Sequence, residues 1–90
     1  MNEQETKIIK KREVIECGTV LKEVILALVE KGYNPVSQLA GYLLSGEPLY
    51  ITNFNGARNL IQNVDRTELM EYIANKLVKE VVDEQNNSNK

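Results

Sequence analysis

From Leu21 to Val29 the apolar positions fall at i, i+3, i+4, i+7 and i+8: Leu21, Val24, Ile25, Leu28 and Val29. That is the stripe of an amphipathic helix, and Val14 and Cys17 carry it backwards. The pattern predicts a first helix over residues 13–31, ended by Gly32 in a left-handed conformation. Gly18 lowers helix propensity within it. Ile15 and Leu26 add apolar surface on one flank, Val20 and Ala27 on the other. Only a narrow polar band remains, with Glu16, Glu23 and Glu30 seven residues apart. A helix apolar over more than half its circumference is covered on several sides. Either the other helices surround it, or part of it faces a second copy of the chain.

The next helix is bracketed by turn chemistry. Asn34 is a suitable N-cap and Pro35 suits the first helical position, where its missing N–H is not needed. Val36, Leu39, Ala40 and Leu43 form its expected apolar face. Gly46 closes it and Pro48 prevents continuation. Gly41, mid-helix, costs about 1 kcal/mol against alanine and implies a close helix–helix approach. A short extended piece is expected over 49–52, then a third helix over 56–63 with Ala57, Leu60 and Ile61 inward. Asp65 and Glu68 make a capping-box pattern for the last helix. Its apolar face comprises Met70, Ile73, Ala74, Leu77, Val78 and Val81, with Tyr72 beside it. The sum is an all-α fold: a compact bundle of about four helices.

Ninety residues make one domain. Residues 1–12 are mostly polar and read as a flexible N-terminal arm, 13–82 as the helical domain, and 83–90, without an apolar side chain, as a disordered tail. About 70 residues give a marginal core. With one cysteine and no histidine, neither a disulfide nor a zinc site reinforces it. Self-association is the remaining device, as an intertwined or side-by-side homodimer. Net charge is −2, which does not favour nucleic acid or anionic membranes. The N-terminus lacks the apolar stretch of a signal peptide, and no apolar run reaches membrane-spanning length. The expectation is a cytoplasmic protein without membrane insertion.

The residues offer little for catalysis. Histidine, the commonest general base, is absent, and Ser37 and Ser45 have no evident activating base. Cys17 reads as a core thiol. Gly41 and Gly46 have phosphate-loop spacing, but Glu47 and Pro48 stand where Lys and Ser/Thr are required. No catalytic residue, metal or cofactor is therefore expected. A helix-turn-helix-like DNA-binding regulator is the alternative, with Arg58, Asn59 and Gln62 on the reading helix. The long connection from Gly46 to Gly56 and the single positive charge, Arg58, oppose it.

The run "EKGYNPVSQLAGYLLSGEPLYITNFNGARNLI" carries a further signal. Lys31 to Pro35, Gln38 to Tyr42, Ser45 to Pro48, Tyr50–Ile51 and Ala57–Arg58 together resemble the signature of the IreB/ReoM family of small regulatory phosphoproteins of Gram-positive bacteria. The resemblance covers about residues 20–80. It implies an all-α homodimer without catalytic activity. It also implies an N-terminal threonine phosphorylated by a membrane Ser/Thr kinase and reversed by its phosphatase. Such a protein adjusts cell-wall synthesis or a stress response through a downstream protein, in some members through a Clp-type protease adaptor system. Thr6, just after Glu5, stands where the family's acidic-Thr motif stands. Two departures stand out. In the stretch after Ala57–Arg58, Gln62 and Asn63 replace basic residues and Thr67 replaces an acid, leaving Arg58 and Arg66; and the N-terminal segment is divergent and unusually basic after Thr6. The expected partner or dimer surface comprises Val20, Leu26, Tyr33, Gln38, Tyr42, Arg58 and Arg66.

Overall fold

A computed structural model describes residues 3–88, with side chains from 17 to 87. Expectations for the side chains of Thr6, Val14, Ile15 and Glu16 lie outside the described residues. Four helices follow in order among them: α1 (Glu3–Glu30), α2 (Pro35–Ser45), α3 (Ala57–Gln62) and α4 (Arg66–Ser88). Two 3₁₀ turns, Pro48–Tyr50 and Phe54–Gly56, join α2 to α3. The fold is all-α, with no strand among the described residues.

The helix ends obey the local rules. Gly32 takes φ 83°. Its N–H donates to Val29 O at 3.0 Å, and Tyr33 N–H donates to Leu28 O at 2.9 Å, which together close α1 as a Schellman motif. Asn34 Oδ1 accepts from Val36 N at 3.0 Å and Ser37 N at 3.1 Å, with Pro35 next to it. Gly46 ends α2 at φ 77°, its N–H donating to Tyr42 O. Asp65 Oδ1 caps α4 through Thr67 N at 2.8 Å. Both long helices run further than their apolar periodicity indicates. The first begins at Glu3 and not at residue 13, and the last continues to Ser88. Once nucleated, a helix gains a hydrogen bond with each added residue, and polar side chains extend it without burial. The piece expected to be extended, 49–52, is instead a 3₁₀ turn through Tyr50, with Ile51 in extended geometry. The cause is Pro48 at a helical first position, with Glu47 capping the turn through Oε2 to Leu49 N at 3.2 Å.

The first helix is the hub. Among the described residues it supplies six of the eleven buried apolar side chains: Cys17, Val20, Leu21, Val24, Ala27 and Leu28. The rest are Tyr42, Ile51, Ala57, Ile61 and Leu69, so α4 contributes one. Fully burying a side chain such as Leu28 or Leu69 stabilises by roughly 1.5–3 kcal/mol. The buried arc is rotated from the expected stripe. Ile25 and Val29 lie at the surface, whereas Val20 and Ala27, expected on a flank open to a second copy, are enclosed by their own chain. α1 packs against α3, and Val20 and Ala27 belong to the same core cluster as Ala57 and Ile61 of that helix. In α2 the inward residues are Tyr42, Leu39 and Leu43, while Val36 and Ala40 face out.

The described chain measures 44 × 42 × 21 Å. The α1 and α4 helices are in contact, and the Tyr72 hydroxyl lies against Gly18, where a Cβ would stand 2.5 Å from its oxygen. Much of the apolar face of α4 stays exposed: Met70, Ile73, Leu77, Val78 and Val81 all reach the surface.

Candidate functional site

The segment from Tyr33 to Ile51 is locked by contacts that are mostly its own. The Tyr50 ring lies on Gly41, where a Cβ would come within 2.6 Å of Cδ1 and 2.8 Å of Cζ. The close approach expected at Gly41 is thus real, but the neighbour is a turn residue and not another helix. Gln38 Nε2 donates to Tyr50 O at 2.8 Å. Ser45 Oγ donates to Gly41 O at 2.7 Å and accepts from Glu47 N at 3.0 Å. These bonds fix the turn against the helix.

Two arginines clip the unit to the rest of the chain. Arg58 on α3 donates Nε to Ile51 O at 2.8 Å. Arg66, at the start of α4, donates Nη1 to Leu43 O at 2.8 Å. Its guanidinium covers Gly46, where a Cβ would lie 2.9 Å from Cζ. A carbonyl in the last turn of a helix has no intrahelical donor, and a cation there also complements the helix dipole. Arg66 supplies both.

The expected surface therefore divides. Leu26, 53% exposed, and Tyr33 do lie at the surface. Val20 and Tyr42 do not: both are in the core, because α1 turns its Val20 side inward and Tyr42 is the buried residue of α2. Gln38, Arg58 and Arg66 direct polar atoms to backbone carbonyls of their own chain. Thr6 lies on the helical backbone of α1.

Leu26 leads to a second feature. Between α1 and α4 runs a groove of about 450 Å³, lined by Leu21, Ile25, Leu26, Ile73 and Leu77, with Gly18 and Tyr72 also in its wall. Lys22, Lys76 and Glu80 edge it. Sequence periodicity placed Ile73 and Leu77 on an apolar face; that this face stays partly exposed was not readable from it.

For the nucleic-acid alternative, the reading helix would be α3. It has six residues, and its cation, Arg58, is turned back onto Ile51. No helix is long and apolar enough to cross a membrane, and no cluster of acidic, histidine and cysteine side chains suits a metal, both among the described residues. Compared with known protein families, residues 3–80 match the family described as IreB regulatory phosphoprotein.

Proposed function

The chain belongs to the IreB regulatory phosphoprotein family, and we propose on that premise that it regulates without catalysis, as the substrate of a membrane Ser/Thr kinase and its phosphatase in the cytoplasm. Its output is adjustment of cell-wall synthesis or a stress response through a downstream protein, with a Clp-type protease adaptor system as the class of machinery. The observation that carries this reading is the family match, which begins at residue 3 and so includes Thr6. The phosphoryl group passes from ATP to Thr6 Oγ, which loses its proton, with ADP leaving. About −1.5 to −2 charge is added at neutral pH.

Residues 1–12 act as a separable arm in this scheme, 13–82 as the helical domain and 83–90 as a tail. A kinase binds its target residue in an extended peptide, and the first turns of a terminal helix open at low cost. The working unit is a homodimer. The apolar face of α4 from Met70 to Val81, together with Ile25, Leu26 and Val29 on α1, is exposed, and contiguous exposed apolar surface of this kind marks interaction sites. Supporting the same reading, the groove beside Leu26 and Leu77 is apolar with a charged edge, the anatomy of a protein interface.

Incubation with the cognate kinase and ATP, followed by intact-mass and fragment mass spectrometry, tests the phosphorylation. One phosphate on Thr6, absent from Thr6→Ala, is expected. Phosphate confined to Thr19, Thr52 or Thr67 would overturn it.

A further inference from the structure

Asn55 is the one asparagine of the chain followed by glycine. Among the described residues it is also the one non-glycine at positive φ, with φ 55° and ψ 26°. Asparagine tolerates this left-handed geometry better than most residues do. Asn55 and Gly56 are both exposed, and a Cβ at Gly56 would meet nothing within 4 Å. The pairing has a chemistry of its own. The side-chain amide carbon of an asparagine and the backbone nitrogen of the next residue can close a succinimide ring. A side chain on that next residue hinders the closure, and glycine has none.

We propose that Asn55–Gly56 is a self-modification site that converts to aspartate and isoaspartate, and that the folded turn holds the reaction in check. A solvent base takes the Gly56 amide proton, and the nitrogen attacks Asn55 Cγ. The Cγ–N bond of the side-chain amide breaks, and ammonia leaves with a proton from water. Water then opens the ring at either carbonyl. Cleavage of the new Cγ–N bond leaves aspartate. Cleavage of the original peptide C–N bond leaves isoaspartate, whose main chain runs through Cβ. In sum, asparagine and water give a carboxylic acid and ammonia.

Two features of the fold oppose the first step. At ψ 26° the Gly56 nitrogen lies across the Cα–C bond from Cβ, so Cγ is turned away from it. The Gly56 N–H is also engaged, donating to Asn53 O at 3.1 Å. Opening of the 3₁₀ turn over Phe54–Gly56 removes both obstacles. The two products then differ in effect. Aspartate keeps the backbone and, like asparagine, is accepted at positive φ. Isoaspartate lengthens the main chain just before Ala57, 2% exposed in the core, and Arg58, whose Nε holds Ile51 O. The lengthened chain cannot rebuild the turn and seat both.

The test incubates the full chain at mildly alkaline pH, folded and in urea, and follows each asparagine by peptide mass spectrometry. Expected is conversion at Asn55 ahead of every other asparagine, at least about tenfold faster in urea than in the folded chain. Isoaspartate should be among the products. In urea, Gly56→Ala should slow the conversion severalfold; the unfolded state keeps that comparison free of the strain alanine would meet at φ 73°. After refolding, the isoaspartate form should unfold at lower urea than the parent chain, whereas Asn55→Asp should match it. Conversion no faster than at Asn53 or Asn59 would overturn the proposal. So would equal rates in folded and unfolded chains, insensitivity to Gly56→Ala, or an isoaspartate form as stable as the parent.

Discussion

The ring of Tyr50 occupies the space that a side chain at position 41 would need. A glycine in the middle of α2 is unfavourable for the helix, yet it lets the turn after the helix fold back on it. Gln38, donating to Tyr50 O, holds the same residue by its backbone.

Gly41→Ala should therefore destabilise the chain although alanine is the better helix former. The propensity gain is about 1 kcal/mol, and overpacking a filled site costs about 1–3 kcal/mol. A net loss of up to about 2 kcal/mol is expected in urea unfolding. In a Tyr50→Ala background the same substitution should become neutral or stabilising by up to about 1 kcal/mol. The change of sign is the decisive observation; a stabilising Gly41→Ala in the parent chain would rule the contact out.

Arg66→Lys keeps the charge but not the planar fork that reaches Leu43 O over Gly46. A loss of about 1–2 kcal/mol is expected. The surface pair Lys79–Asp83, 3.9 Å apart, provides the contrast. Lys79→Ala should change stability by less than about 0.5 kcal/mol. Equal effects at the two sites would show that Arg66 is not a clip.

Leu26 and Leu28 are two residues apart and should behave oppositely. Leu28 is fully buried, so Leu28→Ala should cost about 2–5 kcal/mol of unfolding free energy. Leu26→Asp and Leu77→Asp should leave a folded chain but lower the mass in sedimentation equilibrium from twice 10.2 kDa to a single chain. A parent protein that sediments as a monomer at micromolar concentration would remove the homodimer from the proposed function.

Asn34→Ala removes the acceptor for Val36 N and Ser37 N. A loss of about 0.5–2 kcal/mol is expected. Amide exchange should quicken first at these two N–H groups, and unchanged protection there would contradict the cap.

What could be read from the chain depended on whether a feature is local. Gly32, Asn34, Pro35, Gly46 and Asp65 act through neighbours within about five residues, and each stands where its side chain or lack of one predicts. Periodicity likewise finds four helices, but it only says which residues are apolar. Val36 and Leu39 fit the same α2 stripe, yet one is exposed and the other packs on the core. Choosing between them requires knowing where α1 lies. The same limit explains Val20, which is buried in the core, and Leu69, buried although it was not assigned to the α4 face. The arginine clips join residues 7 and 23 positions apart in sequence. No short-range pattern encodes such pairs, so Arg58 and Arg66 could be named as candidates for a surface but not as braces.

Cys17, the sole thiol of the chain, is 2% exposed at the centre of α1. A thiol reagent reaches it only when the hub helix parts from its neighbours, so the labelling rate is a clock for that opening. The folded chain thus carries its own stopwatch. Slower labelling on adding kinase product or partner would register tightening of the core, without any introduced probe.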